Sequence, residues 1–196
     1  MLALASMNLD TTYGRHVLLP HPVSEPGALQ DLVQELSVAV ARASPDQLKL
    51  TYRLSGDLGA LKLAEPREPV RTDGLWRHSC FEAFVGHGGA SDYWEYNFSP
   101  SGAWAAYHFS GYREGMAPML KGAPPAITQN IGSETVELVV TLDLSWLTKS
   151  SAGVGLRLGL AAVIEDKARV LSYWALKHPA EKPDFHHADS FVVELD

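Results

Sequence analysis

The sequence predicts an all-β chain: a two-sheet antiparallel β-sandwich of about ten strands, immunoglobulin-like or jelly-roll-like in topology, with at most short helical turns. Three observations carry this. Apolar residues recur at period two through most of the chain, the pattern of strands that bury one face. Gly, Pro, Asp and Ser cluster between these runs, where turns need them. Apolar residues at helical spacing are scarce. With 196 residues, 46% hydrophobic and 20% charged, the chain is long enough for one substantial core, so residues 1–196 are expected to form a single domain.

In chain order, Leu29, Leu32, Val33 and Leu36 fit helical spacing behind "SEPG", compatible with a turn or two of helix. "LSVAVARA" then places Leu36, Val38 and Val40 on one face, "SPDQ" supplies turn chemistry, and "LKLTYRL" places Leu48, Leu50, Tyr52 and Leu54 on one face. That is a hairpin signal. After the Pro-rich "AEPREPVRTDG", the runs "LWRHSCFEAFV", "DYWEYNFS" and "AWAAYHFS" are separated by "GHGGAS" and "PSG" and read as a meander. In the first of them, His78, Cys80, Glu82 and Phe84 share one face, and Arg77, Ser79, Phe81, Ala83 and Val85 the other.

"GYREGMAPMLKGAPP" carries three Gly and three Pro in 15 residues and reads as an irregular excursion within the domain. "TVELVVTLDL" alternates Val136, Leu138, Val140 and Leu142, and "GVGLRLGLAAVIED" alternates Val154, Leu156, Leu158 and Leu160. Between them "DLSWLTKS" predicts one helical turn capped by Asp143 or Ser145. The chain closes with the strand "VLSYWAL", the loop "KHPAEKPDFHHAD" and the strand "SFVVEL".

Sixteen Lys and Arg against 23 Asp and Glu give a formal charge of −7, and no stretch supplies a basic patch. Nucleic acid and anionic membrane surfaces are therefore not expected partners. One cysteine, Cys80, can form neither an intrachain disulfide nor a thiolate-rich metal site, which is compatible with a reducing compartment. "MLALASMNLD" lacks a basic n-region and a long apolar run, and no segment approaches the ~20 apolar residues of a membrane helix. The expected location is cytoplasmic. The oligomeric state is left open.

The five tryptophans are large flat rings suited to core packing or to gripping a flat ligand. Trp94 alternates with Tyr96 and Phe98 and reads as core, as does Trp146 in its apolar turn, while Trp104 after "PSG" fits either role. Trp76 and Trp174 stand at strand ends beside loops, where two rings can converge at one mouth of a sandwich. Tyr93, Glu95, Asn97 and Ser99 form a polar face opposite Trp94, Tyr96 and Phe98. Pairing with the preceding strand would continue the His78 and Glu82 face into Glu95 and Asn97, a set of acceptors and an amide that suits a polyol.

Eight histidines include His178, His186 and His187 in one loop beside Asp184, but no regular ligand spacing accompanies the "HH" pair, so no metal site is expected. No nucleophile elbow, phosphate loop or dinucleotide fingerprint occurs. Glu82 and Glu95 resemble a glycosidase pair only in residue type, since that chemistry depends on their separation. The chain is not expected to be an enzyme.

"GLWRHSCFEAFVG", "YWEYNFSPSGAWAAYHFSGYREGM" and "YWALKHPAEKPDFHHADSFVVEL" together resemble a DOMON-like domain of the carbohydrate-binding module family 9 type, in its small stand-alone bacterial version. The likeness spans roughly residues 15 to 195. It implies a non-catalytic module with a slot at one rim of the sandwich, where two tryptophans clamp a saccharide or sugar derivative. Trp76, followed six residues later by the acid Glu82, matches the first clamp, and Trp174 the second. Asn97 matches the family's asparagine, whereas Glu95 stands where those modules place an arginine. Phe185 and His186 are implied to pack the rim.

On this reading Trp76 stacks, Glu82 accepts hydroxyl protons and His78 donates, with no cofactor beyond a structural Ca²⁺ of the kind some members bind. Two alternatives stay open. Haem-binding relatives would use axial ligands such as Met116, Met119 or a histidine, and an interaction module would carry only a vestigial slot.

Overall fold

The computed structural model describes residues 11–23, 31–119, 122–148 and 155–195. The start "MLALASMNLD", Leu29 and Val154 lie outside these residues; Leu32 falls in a turn and Val33 already begins a strand, so the helical spacing is not used there.

The chain enters as β1 (Thr11–Val17) and β2 (Leu19–Pro20), then forms the long hairpin β3 (Val33–Ser44) and β4 (Gln47–Gly56). The meander follows as β5 (Cys80–His87), β6 (Tyr93–Phe98) and β7 (Trp104–Phe109), with the two-residue β8 (Ala117–Pro118) at its edge. Next come β9 (Ala126–Ile131), β10 (Thr135–Asp143), the turn of helix α1 (Ser145–Thr148), β11 (Leu156–Glu165), β12 (Leu171–Ala175) and β13 (Phe191–Leu195). The fold is the all-β, two-sheet antiparallel sandwich that the alternation predicts.

One sheet runs β1-β3-β4-β10-β9 and the other β2-β12-β11-β5-β6-β7-β8, with β13 also paired to β11. The alternating residues meet between them. Leu36, Val38 and Val40 of β3, Leu48, Leu50, Tyr52 and Leu54 of β4, and Val136, Leu138, Val140 and Leu142 of β10 pack against Phe81, Ala83, Val85, Trp94, Tyr96 and Phe98. The Tyr52 hydroxyl, carried into this core, donates to the backbone carbonyl of Glu82 at 2.9 Å. Asp143 supplies the helix cap, its Oδ1 accepting from the Ser145 N–H at 2.9 Å. Gly56 ends β4 at φ +149, and a Cβ there would lie 2.0 Å from the Leu32 carbonyl oxygen, so no other residue fits.

Two local readings change. "LWRHS" is not strand: Gly74, at φ 78, turns the chain into a 3-10 turn over Leu75–Arg77, and β5 begins only at Cys80. Ser79 explains the delay, because its hydroxyl donates to the Lys62 carbonyl at 2.8 Å and accepts from the Glu165 N–H at 3.0 Å, taking the place of ladder bonds. From Cys80 onward the expected alternation holds. The sequence also gave no sign of β1, whose residues are exposed or half-buried throughout, or of β9, where only Ile127 is buried.

β11 is the hinge of the second sheet. One edge pairs with β5 along its length, Leu156 opposite His87 through Val163 opposite Cys80. The other edge is shared end to end: Ala161–Glu165 pair with β12, and Leu156–Gly159 pair with β13. Between leaving β12 and re-entering as β13, the chain loops out through residues 176–190.

Candidate ligand-binding site

The outer face of the second sheet does not face solvent. Phe84, Tyr93, Ala105, Tyr107, Phe109, Ala161, Val163 and Ala175 form a second apolar cluster there, closed over by Phe185 and Phe191. Its cover consists of the 176–190 loop, the 110–116 turn and the 3-10 turn that carries Trp76. Under this cover lies a cavity of about 350 Å³. Trp76, Tyr173, Phe109 and Phe185 give it aromatic walls, and Glu82, Glu95, Arg113 and His186 are its ionisable residues.

β5 and β6 place the two acids. Glu82 stands opposite Asn97 and Glu95 opposite Phe84, so the carboxylates are diagonal neighbours on one face. Both are buried, 3% and 5% exposed. Burial, with the charge of Glu95 beside it, outweighs the Arg113 charge and pushes the Glu82 carboxyl well above the usual carboxylate range. Burial also raises Glu95, against the opposing effects of the Asn97 hydrogen bond and the Arg113 charge. The Asn97 amide donates to Glu95 Oε1 at 2.6 Å. Glu82 Oε1 has no hydrogen-bond partner.

His186 sits at the edge of this pair. The Tyr93 hydroxyl accepts from the backbone N–H of Arg113 at 3.1 Å and lies 2.8 Å from His186 Nδ1. His186 Nε2 lies 3.7 Å from Glu95 Oε2. Burial, reinforced by the Arg113 charge, lowers the His186 pKa to about 4, so the ring is neutral at pH 7. Arg113 is itself engaged elsewhere: its guanidinium donates twice to Asp184 Oδ1, at 3.2 and 2.8 Å. Tyr112 donates to the other Asp184 oxygen.

No protein-family model and no curated protein matches the chain. The fold is similar to the crystal structure of a "putative carbohydrate-binding protein" from Bacteroides uniformis ATCC 8492, with a TM-score of 0.68 and 16% sequence identity over 90% of this chain and 83% of that one. At that identity the likeness establishes the sandwich and its topology.

Of the residues singled out from sequence, the structure brings Trp76, Glu82, Glu95 and His186 together around one cavity, on the outer sheet face rather than at the rim. Asn97 lies behind them, fully buried, holding Glu95. His78 is elsewhere: its Nδ1 meets Glu165 Oε2 at 2.8 Å beside Lys62, in a separate polar hollow of about 710 Å³. The turn at Leu75–Arg77 breaks the alternation that would have put it beside Glu82.

Trp174 is not a clamp. It is 5% exposed, packs in the core between the sheets, and donates its indole N–H to Ser172 Oγ at 2.8 Å. On β12 the alternation sends Tyr173 outward in its place, and Tyr173 forms the cavity wall that the sequence reading gave to Trp174. Arg113 was also missed. Its place depends on a turn in which it adopts φ 56, and nothing in "GYREG" marks an arginine for that conformation. Met116 lines the cavity, whereas Met119 packs against the other core, so the two do not face a common site. Among the described residues no three His, Cys, Asp or Glu side chains are grouped to hold a metal ion.

Proposed function

We propose that the cavity over β5 and β6 binds a small polyhydroxylated ligand, a saccharide or sugar derivative, without converting it chemically. The observation that carries this reading is Glu82 Oε1: a buried carboxylate oxygen with no partner in the protein, at the floor of an aromatic-walled cavity. A buried polar atom left unpaired costs free energy that a ligand donor would recover. Trp76 and Tyr173 offer flat apolar faces for the sugar ring, while Glu82 and Glu95 address its hydroxyls. The resemblance to family 9 modules and the described role of the Bacteroides uniformis protein both point the same way.

Glu82 and Glu95 stand side by side on adjacent strands of one face, where both can address hydroxyls of one ring.

The test is a fluorescence titration with mono- and disaccharides, comparing the native protein with Trp76→Ala. A saturable change that the substitution removes supports the reading. Silence across a broad panel, with the fold verified by circular dichroism, overturns it.

A further inference from the structure

We infer that the ligand presents a protonated amine to Glu82 and Glu95, so that among sugars the cavity selects amino sugars over their neutral counterparts. The sugar part of this statement rests on the proposed function above; the amine contact rests on the site itself.

The first ground is the missing partner. Glu82 Oε1 is unpaired, and the hydrogen bond given to the Glu95 carboxylate is a neutral one, from the Asn97 amide at 2.6 Å, with the His186 ring 3.7 Å away. The second is that the one cation lining the cavity among the described residues, Arg113, lowers the pKa of both acids through its charge but makes its hydrogen bonds to Asp184 and none to either acid. Glu95 approaches from β6. His186, from the 176–190 loop, is neutral at pH 7. Cys80, buried on the same face of β5, is a thiol held protonated by burial. Tyr52, from the opposite sheet, donates to the Glu82 backbone rather than its side chain. Arg113, from the 110–116 turn, is committed to Asp184.

The third ground is the wall. Trp76, Tyr173, Phe109 and Phe185 present π-systems around the acids, and aromatic surfaces combined with carboxylates are the chemistry that recognises organic cations. A sugar hydroxyl would supply one donor and leave two buried acids competing for a proton. An ammonium supplies three donors and one positive charge, and charge-assisted bonds are about twice as strong as neutral ones. Binding would then displace a proton held by the acid pair.

The experiment is titration calorimetry at pH 7 in two buffers of different ionisation enthalpy. Probes are glucosamine, galactosamine and mannosamine, each beside its N-acetyl derivative and parent neutral sugar, together with, as a plain aromatic amine, benzylamine. Expected is a hexosamine that binds at least about tenfold tighter than both its counterparts, with net proton release that Glu82→Gln diminishes along with the preference. Should Glu82→Gln fail to fold, Glu95→Gln provides the same comparison.

A neutral or N-acetylated sugar binding as tightly as its amine would overturn the inference and leave the sugar reading standing. Glu82-dependent binding of benzylamine alone would uphold the amine contact and remove the sugar. Binding of no amine at all would overturn the inference outright.

Discussion

Arg113 and Asp184, 71 positions apart in sequence, join the two loops that roof the cavity: two guanidinium nitrogens of Arg113 reach the same carboxylate oxygen of Asp184, at 3.2 and 2.8 Å. Tyr112 holds the other oxygen, and the backbone N–H of His186 donates to Asp184 at 3.2 Å. The turn that carries Arg113 and the loop that carries His186 are thus tied at the edge of the cavity that Arg113 lines.

This tie predicts a pH-dependent contribution from Asp184. Burial pushes its carboxyl up, but hydrogen bonds from Tyr112 and Arg113 outweigh burial and hold it below the usual carboxylate range. A depressed carboxylate stabilises the fold above its unfolded pKa of about 3.9, and that contribution is lost as pH falls through the lower folded value. Asp184→Asn should cost about 1 kcal/mol at pH 7, since half of the Arg113 side chain is exposed. Urea unfolding at pH 7 and pH 3 should show the gap closing at the acidic end. A gap of equal size at both would refute the assignment.

Glu82 has the opposite sign. Its raised pKa means that the native state holds a proton the unfolded chain gives up, so stability is full below about pH 4.3 and declines as pH rises towards the folded value. Glu82→Gln keeps the shape and removes the titration. The variant should gain on the native protein in thermal melts as pH rises above about 4.3. Parallel curves would mean that Glu82 is ionised without penalty.

Three aromatic substitutions separate wall from core. Trp76→Ala and Tyr173→Ala should each remove ligand binding with a modest change in melting temperature, because both rings are only partly buried on the cavity side. Trp174→Ala should cost about 3–5 kcal/mol, the usual consequence of deleting a large core ring. Chemical denaturation beside the binding titration distinguishes them. A Trp174→Ala protein as stable as the native one would contradict its place between the sheets.

His186 predicts a second pH effect. Burial and Arg113 lower its pKa from 6.5 to about 4, so the folded state resists protonation that the unfolded chain accepts. Its contribution is complete above about pH 6.5 and falls by on the order of 3 kcal/mol as pH drops towards 4. His186→Gln should flatten the stability profile in that window, read by denaturant midpoints at half-unit intervals. An unchanged profile would place the acid sensitivity elsewhere.

The sandwich was legible because β3, β4, β10 and β11 alternate strictly and bury what they alternate. The site was legible only in part, for reasons that the same alternation explains. Glu82, Glu95 and Asn97 follow from strand parity once β5 and β6 pair. Tyr173 and Trp174 are adjacent aromatics, and parity alone does not say which of two neighbouring rings points to which face; that depends on Ala162 pairing opposite Trp174. His78 was misplaced because Gly74 and Ser79 replace the first strand residues by a turn, and Arg113 because its role comes from a partner 71 residues away.

The end-to-end sharing of one edge of β11 by β12 and β13 has an evolutionary consequence. Residues 176–190 leave from Ala175 and return at Phe191, both pinned to the same strand, with Arg157 of β11 fastening the return through the Phe191 carbonyl at 2.7 Å. The segment is a cassette at its ends only: between them Phe185 packs on the outer sheet face, His178 Nε2 lies 2.8 Å from the Leu19 carbonyl and Asp184 meets Arg113. A change of ligand preference made by exchanging this insert has to keep or replace those three contacts.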